Sequence, residues 1–210
     1  KLRPGEGNYA LFLTGKGKLI AEAWVLCLDD RFLVVSRPEH RAQVAQTLDR
    51  YLLMDDVTLT DTSASLAVVG VHGEAVSDLV SRVTGLDLPT SEGHHIAGKS
   101  FEEIRVLAVN EYGWPGYLLL APPDFAARRY SEFCPGAFDP ADSEALRIEN
   151  GVPRRGSELN EETIPIEAGL EARAISYEKG CYVGQEIIAR IKTYGEVAKK
   201  DTEPELVKFK

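Results

Sequence analysis

Apolar positions follow two rhythms along this chain. Residues 9–14 form a short apolar run, and after Gly15, Lys16 and Gly17 a longer run covers 19–28. A third run, 31–36, follows the turn-forming pair Asp29 and Asp30, so this stretch predicts a β-hairpin. Arg37, Pro38 and Glu39 then open a helix, with Val44, Leu48, Tyr51 and Leu52 spaced three and four apart on one face. Strands are expected at 57–61 and 66–71. A helix is expected at 73–83, carrying Ala75, Val76, Leu79, Val80 and Val83.

The second half repeats the alternation. Residues 86–99 read as a loop, 101–110 as a strand, 113–116 as a turn and 117–120 as a returning strand. Helices are expected at 123–133 and 139–150, the latter with Asp139 as cap and Pro140 at its first position. Residues 163–167 read as extended and 185–192 as a helix. The charged tail 199–210 lacks a clear pattern beyond a short strand at 206–209. The order of elements predicts an α+β chain of two sandwich-like subunits, about 1–85 and 86–197.

Charge narrows the classes of function. Lys and Arg total 24 against 33 Asp and Glu, a net charge of -9. That balance argues against direct nucleic-acid binding, which rests on neutralising phosphates. No apolar run approaches the ~20 residues a membrane helix needs, so no membrane partner is expected. The three cysteines, Cys27, Cys134 and Cys181, are too sparse for a disulfide framework or a self-contained metal site. A reducing compartment fits them: a bacterial cytoplasm, or the mitochondrial matrix in a eukaryote. The chain opens on Lys1 and enters an apolar run at once, which reads as a front that is truncated or processed.

One octapeptide stands out chemically. Lys179, Gly180, Cys181, Tyr182, Val183, Gly184, Gln185 and Glu186 place a cysteine between glycines just ahead of a helix. Glycines permit tight turns and close backbone approach. The positive end of a helix and a neighbouring lysine both favour a thiolate. A buried, inert cysteine in a tight turn is the plainer reading of the same features. His94 and His95 are adjacent and read as an exposed loop pair, with no ligand at metal spacing beside them. Arg154 and Arg155 lie in a rigid basic loop.

This octapeptide resembles the signature of the YgfZ family, folate-binding relatives of the glycine-cleavage T-protein that assist iron–sulfur enzymes. The upstream residues Leu146, Arg147, Ile148, Glu149, Asn150, Gly151 and Pro153 fit it, as do Pro165, Glu167, Gly169 and Leu170. Arg190, Tyr194, Gly195 and Val197 follow in keeping. The resemblance implies paired ferredoxin-like units around a central cavity that holds tetrahydrofolate or a derivative, with the family's C-terminal barrel largely absent and 198–210 as its start or a tail. It implies that Glu149 contacts the pterin, whose amino group and ring N–H a carboxylate can accept. It puts Tyr117 near the ligand, makes Arg147 a weaker contact, and offers Arg154 to the folate's glutamate tail. Cys181 becomes the functional thiol.

The implied role is a folate-binding auxiliary factor for assembly, repair or maintenance of iron–sulfur enzymes, partnered by assembly proteins or client enzymes. An indirect effect on tRNA modification would follow. The alternative is a tetrahydrofolate-dependent aminomethyltransferase or demethylase. The T-protein draws on an aspartate in an acidic pair after a G-G-x-x pattern. The comparable stretch here runs Gly17, Lys18, Leu19, Ile20, Ala21, Glu22, so the pair has become Ala21 and Glu22. Adjacent strand positions face opposite sides, and the change weighs against one-carbon transfer.

Overall fold

A computed structural model describes residues 1–98, 104–133 and 140–195. Strands β1 (Gly7–Leu13), β2 (Leu19–Cys27) and β3 (Phe32–Ser36) form one sheet with β2 in the middle. A 3-10 turn at Pro38–His40 leads into α1 (Arg41–Tyr51). Then come β4 (Ala67–His72), α2 (Val76–Thr84), β5 (His95–Ala97), β6 (Arg105–Val109), β7 (Gly116–Ala121), α3 (Pro123–Phe133), α4 (Pro140–Glu149), α5 (Glu171–Ala174) and α6 (Gln185–Tyr194). The second sheet has the order β4-β7-β6-β5, with every pair antiparallel. This is a mixed α+β fold.

The chain divides into two compact units that interleave along the sequence. The first comprises Lys1–Asn8, Leu26–Leu33 and Thr60–Val152, the second Tyr9–Val25, Val34–Leu59 and Pro153–Lys210.

In the first unit, β7 is an unbroken buried strand: Gly116, Tyr117, Leu118, Leu119 and Leu120 pair with β4 on one side and β6 on the other, and Ala121 with β4 alone. A continuous apolar run is what a strand covered on both faces requires. Val71, Val80, Val106, Leu119 and Phe133 meet in its core. Helix α2 buries Val76 and Val80, one turn apart, and stops at Gly85, whose φ of +69° and N–H to the Ser81 carbonyl (2.7 Å) make a left-handed cap. Helix α3 begins on Pro123, where a missing N–H costs nothing.

The second unit has a core of Leu13, Leu19, Leu159, Ile166, Leu170 and Ile188. The Leu19 N–H donates to the Thr163 carbonyl (3.0 Å), joining β2 to the loop region after 153. Helix α1 forms where its periodicity places it, but only Val44 is buried and Tyr51 is half exposed.

Four expectations need correction. Residues 57–61 are not a strand; Val57 and Leu59 are exposed and no strand pairs with them among the described residues. Residues 163–167 are not extended but turns, closed by Glu167 N–H to the Ile164 carbonyl (2.9 Å) and Leu170 N–H to the Pro165 carbonyl (3.0 Å). The loop expected at 86–99 contains β5. His95, expected in an exposed pair, is buried there: Cys27 O lies 3.1 Å from Nε2 and Arg105 Nη1 lies 2.7 Å from Nδ1. Burial and then Arg105 hold its pKa below the ordinary value. Cys134, the Asp139 cap, Val197, the strand at 206–209 and the segment 198–210 lie outside the described residues, as do 101–103 of the strand expected at 101–110.

Candidate functional site

In the second unit the octapeptide is braced from several sides. Gly184 caps α6 with φ +85°, and a Cβ there would lie 2.8 Å from the Thr14 carbonyl and 3.0 Å from Gly17 Cα. Gly17, itself at φ +72°, faces Ile187 of α6. Two glycines therefore let the start of α6 rest directly on the β1–β2 turn. The Gln185 side-chain oxygen accepts the Tyr182 N–H (3.4 Å), and Lys179 Nζ sits 4.7 Å over the Tyr182 ring. Burial raises the Tyr182 pKa. Glu186 pairs with Arg190 one turn along the helix. Gly180 has open space where a Cβ would go. Cys181 is exposed, four residues before the first helical residue.

The remaining anticipated residues divide between the units. In the first unit, Glu149 ends α4 and is exposed, and its side chain makes no hydrogen bond or ion pair to any described residue. Arg147, two positions earlier, is turned inward: it is buried, its Nε and Nη2 hold both oxygens of Glu144, and its Nη1 donates to the Val152 carbonyl. Tyr117 is buried in β7, its hydroxyl donating to the Pro89 carbonyl (3.2 Å) with Ser77 Oγ 3.1 Å away. A Cβ on Gly113 would meet the Asn150 side chain at 2.4 Å, so the turn carrying exposed Trp114 is seated on the end of α4 beside Glu149.

In the second unit, Arg154 donates its N–H to Glu158 (3.1 Å) and Nη2 to Ser157 (3.4 Å). Its neighbour Arg155 is turned inward: its side chain is 9% exposed, and its donors reach the Leu19 carbonyl (3.2 Å) and Glu161 (3.5 Å).

Sequence reading overlooked a polar cluster in the second unit. Glu22 is buried in the middle of β2 and accepts a 2.5 Å hydrogen bond from the Tyr9 hydroxyl. Arg37 Nε lies 3.7 Å from its other oxygen. The Arg173 guanidinium stacks over the rings of Tyr9 (4.5 Å) and Trp24 (5.9 Å). His40, at the end of the 3-10 turn, is buried, and its Nδ1 has no hydrogen-bond partner. Burial first, then Arg155, lower its pKa. The available signal was a carboxylate at the centre of an otherwise apolar strand; its partners Tyr9 and Arg37 come from other strands and a turn, which no local pattern reveals. An open groove of about 630 Å³, lined by Thr14, Lys16, Lys18, Ile20, Gln43 and Glu161 among others, lies in the same unit. Among the described residues no group of His, Cys, Asp and Glu is arranged to hold a metal ion, and no helix is long and apolar enough to cross a membrane.

The fold is that of the glycine-cleavage aminomethyltransferases. The solved structure of aminomethyltransferase T from Bartonella henselae superposes with a TM-score of 0.69 at 14% identity, over 91% of this chain and 54% of that one. The model of the GCVT N-terminal domain matches residues 1–179, and the chain belongs to that family. An aminomethyltransferase of Picosynechococcus sp. is 27% identical over 93% of this chain and 56% of its own length. A chloroplastic protein of Arabidopsis thaliana named as a transferase is 27% identical over 95% of this chain and 47% of its own length. The chain thus spans about half the length of the curated relatives it matches.

Proposed function

We propose that this chain is the folate-binding part of a factor of the YgfZ kind, which supports iron–sulfur enzymes through the thiol of Cys181. The observation that carries the reading is the contrast inside the octapeptide. Gly184, Gln185, Tyr182 and Lys179 all make contacts that hold the segment, while Cys181 is exposed and takes part in none of them. A residue that packing does not use is available for chemistry. Membership of the GCVT N-terminal domain family supports tetrahydrofolate as the ligand. Glu149 suits the pterin, because no described residue engages its oxygens and a carboxylate accepts such N–H groups. Arg147 and Tyr117 would act behind it, one shaping the end of α4 and the other the strand, since their polar atoms are engaged within the fold. Arg154 would meet the glutamate tail. Bound tetrahydrofolate supplies a carrier for one-carbon units.

The second reading, aminomethyl transfer, draws on Glu22. That carboxylate is buried and fixed by Tyr9, on the strand where the family's T-proteins carry their acidic pair. Calorimetry with tetrahydrofolate, on wild type and Glu149→Ala, tests the shared part of both readings. Micromolar binding weakened at least about tenfold, the loss of one charge-assisted recognition, is expected in the variant. Unchanged binding would remove Glu149 from the site. Cys181→Ser separates the two readings: it should leave folate binding intact and abolish support of iron–sulfur enzyme activity, whereas aminomethyl transfer would survive it.

A further inference from the structure

The sheet of the first unit treats its two edges differently. At one edge β5 has three residues, and its His95 N–H donates to the Gly5 carbonyl (2.9 Å). At the other edge stands β4, with six residues and no strand beside it among the described residues. The ladder shows which main-chain groups that edge presents. The Gly73 N–H donates to the Pro115 carbonyl (3.2 Å), and the register continues with His72 opposite Gly116 and Val71 opposite Tyr117. Bonded and non-bonded pairs alternate along an antiparallel ladder. Val71, Val69 and Ala67 therefore turn their N–H and C=O groups to β7, and Val68, Gly70 and His72 turn theirs outward. None of the outward groups bonds to a described residue.

The side chains leave this edge open. Val69 and Val71 pack into the core, so Val68, Gly70 and His72 share the opposite face. Val68 is 47% exposed and Gly70 is exposed. The His72 ring lies over Gly116 of β7, where a Cβ would come within 2.1 Å of it, so it leans into the sheet and not across the edge.

Charge decides what the edge can meet. Natural sheets protect a free edge with a charge, a proline or a bulge. Here no Asp, Glu, Lys, Arg or Pro occurs from Thr62 to Gly73, in a chain of net charge -9. His72 adds no charge at pH 7, because burial holds its pKa down to about 4. A charged strand finds nothing on this edge to recognise. A second copy brings an edge equally free of acid, so two acidic molecules can approach here without opposing like charges. The pattern is also its own complement in reverse. With a two-fold axis at Gly70, that residue exchanges both hydrogen bonds with Gly70 of the second copy, and Val68 does so with His72 of the second copy. Two glycines on the axis put no side chains in each other's way.

We infer that β4 is the seam of a homodimer, in which two copies pair their edges antiparallel about Gly70 and join their four-stranded sheets into one. The seam is independent of the folate reading.

Sedimentation of the wild-type chain from about 10 μM to about 1 mM should show a monomer–dimer equilibrium, weak because a seam one strand long is small. Over the same range, amide exchange followed by NMR should slow at least about tenfold at Val68, Gly70 and His72, while Val69 and Val71, bonded to β7 in either state, should be slow throughout. That alternation needs no variant, and no other surface of the chain would produce it. Val68→Lys changes an exposed position, so it should leave the monomer folded and weaken dimerisation at least about tenfold. A monomer throughout, with exchange at the outward amides independent of concentration, would overturn the inference and leave the edge to water or to another protein. A dimer that Val68→Lys does not weaken, or that forms without protecting those amides, would place the seam elsewhere and overturn it equally.

Discussion

The β4–β7 sheet and the stretch from Pro153 to Tyr194 reach order by different means. The sheet is built on bulk: Val106, Leu107, Leu119 and Leu120 are all but sealed from water, and β7 is paired along both edges. The later stretch contains only two short helices. It is held by a few buried side chains, Leu159, Ile166, Leu170 and Ile188, together with turn hydrogen bonds and one backbone-to-backbone approach at Gly184. Bulk distributes stability over many contacts. Close approach concentrates it in positions where a single methyl group is too much. Cys181, exposed in the octapeptide, belongs to the part organised by individual contacts.

Substitutions can break this contrast at either end. Leu119→Ala should cost the most, about 3 kcal/mol, because a leucine 1% exposed leaves a cavity in a region that cannot collapse around it. Chemical denaturation would measure it, and a loss under about 1 kcal/mol would mean that the sheet is less tightly packed than it looks.

Next in size is a pH effect from His72. Its side chain is 16% exposed, Glu111 is 4.0 Å away, and its ring sits against Gly116, where a Cβ would come within 2.1 Å. Burial pushes its pKa down to about 4 from 6.5. The unfolded chain therefore binds the proton more readily than the folded one. The contribution is fully present above pH 6.5 and is lost as the pH falls towards 4, roughly 3 kcal/mol in all at about 1.4 kcal/mol per unit. Denaturation midpoints for wild type and His72→Gln should converge across that window; parallel curves would remove His72 as the cause.

A smaller effect separates the two octapeptide glycines. Gly184→Ala forces an alanine to φ +85° against the Thr14 carbonyl, at about 2 kcal/mol. Gly180→Ala meets nothing and should change stability by only a few tenths. Equal losses at both positions would show that the brace on the β1–β2 turn is not what holds the segment.

The same contrast explains what could be read in advance. β2, β6 and β7 announced themselves because an apolar run needs no knowledge of its partners. Helices α2 and α3 carried their own stop and start signals in Gly85 and Pro123. Residues 57–61 alternate like a strand, but alternation supplies a face and not a neighbour, and an unpaired strand is not stable. β5 escaped notice because its three residues are fixed from far away: its His95 N–H donates to the Gly5 carbonyl (2.9 Å) and its ring meets Cys27. For the site, the octapeptide was legible because its spacing is local. The Tyr9–Glu22–Arg37–His40 cluster was not, since β1, β2 and a turn must first be folded side by side before its members meet. Arg147 and Glu149 fell between: helical spacing separated their faces correctly, yet only the Glu144 and Val152 contacts show which of them the fold keeps for itself.

The contact of Gly184 with Gly17 has a mechanical meaning as well. With no side chain between them, the two backbones touch without a cushion, and the β1–β2 turn cannot spread without carrying the first turn of α6 along. The loop that presents Cys181 hangs from that pivot. A displacement of residues 14–17 is therefore passed to the start of α6 and to the segment that carries Cys181.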